Sequence, residues 1–231
     1  MMARRGAIGL MLAAGSALLA GCGMLFPYRY RARVSVEVNT PQGVRRGSSV
    51  YEETTHKSPA LLPDEHVRAL QIKGEAVAVD LPGGQVLFML VPDASWLQAA
   101  LDPGWNNDWV ESGARIAGGR TPRGVIDVSL SPAKVTGAPP PLLVRFGDIH
   151  DPRTVEAVAP GDLAASFGPG VTLQRITVTV TDDAVTSGIE KRLGWLPKYY
   201  GLLFNGERYE KITPNLAGHL GAGDFSTELS K

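Results

Sequence analysis

Val34, Val36 and Val38 fall on one side of a period-two alternation, with Arg33, Ser35, Glu37 and Asn39 on the other. Successive side chains of an extended chain point to opposite faces, so this run reads as a strand with one face in a core and the other toward water. Such a strand needs a partner. Thr40-Pro41-Gln42-Gly43 has Pro and Gly where a tight turn wants them, and Val44 to Glu53 is expected to return as a second strand. The pattern already commits the chain to an antiparallel sheet.

A second hairpin has a different texture. Glu75 to Leu81 and Gln85 to Val91 flank Pro82-Gly83-Gly84, and both arms are close to continuously apolar. Continuous apolarity places a strand where both faces are covered, so this hairpin is expected at a central position in the sheet. Strands are also expected over Val125–Leu130, Leu142–Phe146, Thr154–Val158 and Val171–Thr181. In the last, Val171 and Leu173 lie out of phase with Ile176, Val178 and Val180, which places a bulge near Gln174-Arg175.

Short helices are expected after Asp93, over Pro160–Phe167, and from Ser187, whose spacing to Glu190 matches a capping box. Residues 54–66 read as a loop, and no period persists from Trp105 to Gly124, so a long loop is expected there. Residues 213–231 are poor in large apolar groups and read as a loose tail. The fold class is therefore α+β: a β-rich, mostly antiparallel sheet or sandwich with a few short helices. With 27 Gly and 17 Pro in 231 residues, the chain stays below the turn-residue content at which packing fails.

The N-terminus carries a different message. Arg4 and Arg5 precede an apolar run from Ala7 to Ala20. As a helix, roughly 14 residues reach about 21 Å, short of the roughly 30 Å of a bilayer's hydrocarbon layer. That is the pattern of a secretory signal. The run ends in Leu19-Ala20-Gly21-Cys22, which resembles the lipobox of bacterial lipoproteins. The resemblance implies cleavage between Gly21 and Cys22 and a diacylglycerol on the Cys22 sulfur, the thiolate being a strong soft nucleophile. Two or three acyl chains then anchor the protein stably. Gly23, where an Asp commonly retains Gram-negative lipoproteins at the inner membrane, favours the periplasmic face of the outer membrane. The expected organisation is a signal peptide over 1–21, a lipidated tether over 22–27, one periplasmic β-rich domain over 28–212 and the tail.

Charge and cysteine content exclude several classes. The 23 basic residues balance 23 acidic ones, so the chain lacks the excess positive charge of a nucleic-acid binder. One Cys rules out an internal disulfide and a Cys-rich zinc module. His56, His66, His150 and His219 are scattered without metal-ligand spacing, so no metal and no cofactor is expected.

Several constellations carry a possible chemistry beside a plainer one. Asp148-Ile149-His150-Asp151 offers an imidazole that a carboxylate would orient as a general base for hydrolysis, or simply a turn whose Asp side chains accept backbone N–H groups. Trp105-Asn-Asn-Asp-Trp109 has the aromatic and amide groups of a sugar site, or else two rings pinning a loop. Ser131-Pro-Ala-Lys134 has the S-x-x-K spacing, but Pro132 and Gly137 oppose the helix that chemistry requires. Asp182-Asp183 is a carboxylate pair or a helix cap. Arg29, Arg31 and Arg33 alternate with Tyr28 and Tyr30 close to the expected anchor, facing anionic headgroups or keeping an edge strand soluble. Trp195 to Phe204 concentrates large apolar residues that either wrap the sheet or form a partner patch. The stretches Gly74–Gly84 and Arg175–Leu196 resemble segments of uncharacterised proteobacterial proteins, which carries no activity. The function expected is a non-enzymatic, lipid-anchored envelope protein that contacts the membrane through its acyl chains and binds another envelope protein. The rivals are a periplasmic hydrolase using Asp148, His150 and Asp151, and a small-ligand or glycan carrier using the Trp105–Trp109 loop.

Overall fold

The computed structural model describes residues 27–57, 68–122, 124–128, 140–210 and 214–229. Two antiparallel sheets organise them. The five-stranded sheet runs in the order β3 (Arg68–Lys73), β2 (Gly43–Lys57), β1 (Tyr28–Thr40), β9 (Thr172–Val180), β6 (Ile126–Asp127). The four-stranded sheet runs β4 (Val77–Asp80), β5 (Val86–Met89), β7 (Leu143–Phe146), β8 (Val155–Ala157). Helices α1 (Ala94–Leu101), α2 (Trp109–Ala117) and α3 (Leu163–Phe167) complete a β-rich α+β fold.

The alternation in β1 does what its period dictates. Ala32, Val34, Val36 and Val38 are buried on the inner face, while the odd positions form the outer one. β1 lies between β2 and β9, so it is an interior strand and not the edge strand that its arginines had suggested. The bulge is where the phase change puts it: Glu37 pairs with Arg175 and Val38 with Leu173, leaving Gln174 as the extra residue.

The four-stranded sheet is the middle layer. Leu87 and Met89 of β5 join the core shared with the five-stranded sheet and α1. Phe88 and Val86 point the other way, into a second core. All four residues of β5 are buried, which is the expected outcome of a strand without a polar face.

What covers the second face was misread in sequence. Residues 214–229 were expected to hang loose, yet they wind through short 3₁₀ turns at Leu216–Gly218, Ala222–Asp224 and Thr227–Leu229. Ala217, Leu220, Ala222 and Phe225 from this segment are buried with Ile189, Leu193, Leu196 and Phe204. Its backbone is also tied down, since Ala76 N–H donates to Phe225 O at 2.9 Å and Val91 N–H to Asp224 O at 2.9 Å. A few well-placed apolar residues suffice when the surface they cover is already flat and apolar.

Other departures have local causes. β2 continues to Lys57 where a loop was expected from residue 54. Helix α2 replaces the middle of the loop expected over 105–124, because Asp108 accepts the N–H groups of Val110 and Glu111 and starts it. The strand expected over 125–130 is described only at Ile126–Asp127, and residues 129–139 lie outside the described residues. Ser187 caps no helix. The 3₁₀ turn Ile189–Lys191 begins at Gly188, whose φ of 107° is left-handed, and the Ile189 N–H is accepted by Glu75 Oε2 at 2.8 Å.

If the C-terminal segment is a structural wall, truncating its buried ring should be severe. Phe225→Ala is expected to lower unfolding free energy by about 3–5 kcal/mol, as large aromatic deletions from cores do. Tyr209→Ala, at a side chain 80% exposed, should change it by about 0.5 kcal/mol or less. Urea denaturation of the two variants checks the contrast, and equal losses would refute the assignment.

Candidate functional site

Two polar assemblies interrupt the apolar packing. The first lies between the inner face of β1–β2 and the helices α1 and α2. Tyr30 and Glu53 are directly opposite each other in the β1–β2 register, and both face inward. Tyr30 Oη donates to Glu53 Oε2 at 2.6 Å, and Thr55 Oγ1 donates to Glu53 Oε1 at 3.3 Å. Gln98 on α1 also donates to Glu53 Oε1, and its Nε2 lies 3.2 Å from both Thr55 Oγ1 and the Trp109 carbonyl. Gly113 allows α2 to come this close, because a Cβ there would sit 3.0 Å from Thr55 Oγ1.

Glu53 is fully buried, and burial pushes its carboxyl up to about 8 against the hydrogen bonds from Tyr30, Gln98 and Thr55, which favour the charged form. Burial likewise raises the Tyr30 phenol, with the Glu53 carboxylate adding to it. Asp102, close by, meets the same cost differently. Burial would raise it, but the Arg115 guanidinium, Ser112 and the Gly104 N–H together hold it below its ordinary value. Arg115 grips it from Nη2 at 2.5 Å and Nε at 3.0 Å. Gln98 Oε1 and Trp105 Nε1 are among the buried atoms that have no hydrogen-bond partner among the described residues. At neutral pH, Glu53 therefore holds a proton in a place no solvent-sized molecule touches. It can sense and store charge, but cannot pass a proton to a substrate.

The second assembly is an open cleft beside β2. Beyond β3 the edge of β2 is taken up by the segment after β9: Val50 N–H donates to Thr186 Oγ1 at 2.8 Å and Thr186 N–H to Val50 O at 3.1 Å. Hollows of about 570 Å³ and 370 Å³ flank this strap and share Glu75, Thr186 and Ser187. Lys191 and Arg192 line the larger one, Arg31 and Lys73 the smaller. Arg192 is held by Asp80 at 2.5 and 3.0 Å, and Arg31 by Glu52 at 2.9 Å. Glu75 forms part of the wall, spending one oxygen on the Ile189 N–H and the other on Ser226 Oγ at 3.3 Å. The cleft thus offers polar contacts from side chains that are already braced, an arrangement suited to holding a small polar molecule.

The residues singled out in sequence are dispersed. Asp148 Oδ1 accepts the His150 N–H at 2.9 Å, and Asp151 Oδ1 accepts the Arg153 N–H at 3.0 Å, so both carboxylates build the turn. Asp151 also pairs with the Arg153 side chain, which lowers its pKa, and His150 is exposed. In the Trp loop, Asn106 Oδ1 accepts the Asp108 N–H at 3.0 Å, Trp105 turns inward, and Trp109 opens α2 with 36% exposure. The two rings do not form one platform, because a helix cap separates them.

Asp183 caps no helix. It accepts from Thr181 Oγ1 at 2.6 Å and pairs with Arg33. Trp195, Tyr199 and Phe204 stack edge to face over the middle sheet, with centroids 5.2–5.8 Å apart, leaving Tyr200 outside at 51% exposure. The aromatic segment is mainly wall and not patch. Gly21, Cys22, His66, Ser131 and Lys134 lie outside the described residues, and His56 lies in β2, paired with Ala69. Among the described residues no group of three or more His, Cys, Asp or Glu is placed to hold a metal. Glu53, Gln98, Asp102 and Arg115 went unnoticed in sequence, since the contacts that join them run from Glu53 to Gln98 across 45 residues and from Asp102 to Arg115 across 13.

Comparison with protein-family models, with curated proteins and with solved structures finds no match.

The buried acid makes a signed prediction. Between its ordinary value of 4.5 and about 8, the folded chain keeps a proton on Glu53 that the unfolded chain has released. Stability should therefore fall as pH rises through this window, by about 1.4 kcal/mol per pH unit at the steepest. Glu53→Gln keeps a neutral polar group in place, so it should flatten the profile and be the more stable form at pH 8. Urea midpoints across the window decide it, and parallel profiles for the two proteins would show that Glu53 is not the group responsible.

Proposed function

We propose that this chain is a lipid-anchored protein of the bacterial cell envelope, held to the membrane by acyl chains on Cys22, whose body works by binding and not by catalysis. The observation that carries the reading is Leu19-Ala20-Gly21-Cys22 closing an apolar run behind Arg4 and Arg5, with Cys22 the sole cysteine of the chain. Removal of residues 1–21 leaves 21 basic against 23 acidic side chains, a nearly neutral mature protein. No helix among the described residues is long and apolar enough to cross a membrane, so attachment in this reading rests on the acyl chains. Binding is favoured over catalysis by the state of the carboxylates. Glu53 is sealed, Asp102 is held by Arg115, Glu75 braces a wall, and Asp148 and Asp151 build a turn. The cleft around Thr186 and Ser187 is the place in the body best suited to a partner's polar group.

Cys22→Ala is expected to abolish incorporation of labelled fatty acid and to move the protein from the membrane pellet to the soluble periplasmic fraction. A variant that stays labelled and membrane-bound would overturn the reading.

A further inference from the structure

The sheet has two very different ends. Tyr28 opens β1 opposite Thr55, and Lys57 pairs with Arg68 where β2 meets β3, so these positions share one end. β9 leaves the sheet there too, with the Thr181 N–H donating to Arg31 O at 3.0 Å. Trp109 belongs to the same end, since one nitrogen, Gln98 Nε2, lies 3.2 Å from both its carbonyl and Thr55 Oγ1. The opposite end is the β1–β2 turn, with Val44 exposed beside it.

We propose that the end carrying Tyr28, Arg29 and Trp109 is a membrane-apposed surface that rests on phospholipid. The proposal builds on acylation at Cys22. Six residue steps separate Cys22 from Tyr28, which span at most about 22 Å fully extended. β1, with 13 residues, is about 40 Å long, so the Tyr28 end is held near the headgroups while the turn at Thr40 is far from them unless the sheet lies flat.

A flat pose has little to offer lipid. The outer face is a ladder of ion pairs, with Glu37 held by Arg175 and Arg46, Glu52 by Arg31, and Asp183 by Arg33. The Tyr28 end has the chemistry of a bilayer interface. Trp109 projects at the start of α2, Tyr28 is half-buried, and indole and phenol rings favour the headgroup level because one end is apolar and the other polar. Arg29, with a side chain 60% exposed, lies 3.7 Å from a Glu52 already bonded to Arg31, so two guanidiniums share one carboxylate. Against them, Asp182 is exposed beyond β9, and Glu111 is paired to Arg115 at 2.6 Å. Cations near an anionic leaflet are drawn to it, which orients a body that acyl chains already hold.

The test is fluorescence quenching on vesicles of phosphatidylethanolamine with a minority of phosphatidylglycerol, containing lipids with a nitroxide near the headgroup. The acylated chain purified from membranes is used. Should fatty-acid labelling show no acylation, the chain cleaved before Cys22 is coupled through the Cys22 thiol to a maleimide lipid, so the surface is tested even if the lipidation reading fails. Three proteins are compared: the native sequence, Trp109→Phe, and Val44→Trp. Support would be strong quenching of the native protein, loss of the quenchable fraction in Trp109→Phe, and an added Val44→Trp emission that the lipid nitroxide leaves untouched. Equal quenching of the native protein and Trp109→Phe, quenching of the Val44→Trp emission, or no quenching of the native protein would each overturn the proposal. The last result would leave this end open to a protein partner instead of lipid.

Discussion

Phe88 and its neighbours in β5 impose the condition that the rest of the body satisfies. A strand with Leu87 and Met89 on one face and Val86 and Phe88 on the other has no side for water, so the sheet it centres must be covered twice. The first cover is a regular sheet whose inner face is a column of valines. The second is almost entirely irregular, assembled from 3₁₀ turns between Ile189 and Leu229. Phe225 and Phe146 meet Phe88 at 5.6 and 5.7 Å in edge-on geometry, and Trp195 and Phe204 extend the cluster outward. Rings suit an irregular cover because each brings a large apolar area from a single backbone position, which even a loose turn can supply.

That difference between the two covers explains what could be read from the sequence. β1, the bulge at Gln174 and the doubly buried strand β5 were legible because a strand writes its environment into its side-chain pattern, whereas β4, expected to be central with it, is the edge strand of its sheet with Asp80 exposed. The C-terminal cover was not, since Leu216, Leu220 and Phe225 follow no period and sit among Gly, Ala and Asp. Helix α2 was missed for a related reason. Its apolar stripe is reduced to Val110 and Ile116 around Ser112 and Gly113, because the face it presents to the sheet must fit a polar cluster. The hydrophobic pattern records contacts with an apolar partner and says little about contacts with a polar one.

The candidate sites show the same limit. Asp148, His150 and Asp151 drew attention because they are adjacent in the chain, and adjacency is what turns use: their carboxylates accept backbone N–H groups two residues on. The groups that do converge in space come from far apart. Glu53 gathers Tyr30 from 23 residues upstream and Gln98 from 45 downstream, and Glu75 reaches Ile189 and Ser226 across 114 and 151. Only the register of β1 on β2 and the placing of α1 and the C-terminal segment bring them together.

Four of the five carboxylates buried among the described residues, Glu37, Glu53, Glu75 and Asp102, are kept there by different means, and the differences bear on what each can do. Glu37 and Asp102 stay ionised because arginines reach them in paired contacts, Glu37 at 2.9 and 3.0 Å from Arg175 and Asp102 at 2.5 and 3.0 Å from Arg115. Such pairs lock elements together, β1 to β9 in one case and the end of α1 to α2 in the other. Glu75 is bound by a backbone N–H and a hydroxyl, and joins the middle sheet to its irregular cover. Glu53 has neutral donors and no guanidinium, and burial outweighs them, so its charge state changes near neutrality. Its hydrogen bonds run to α1 and, through Gln98, to the first residue of α2. A charge appearing on Glu53 therefore falls on the joint between the sheet and its two helices, at the same end of the body as Trp109 and Arg29. Of the four, it is the one whose ionisation can loosen a contact instead of tightening it.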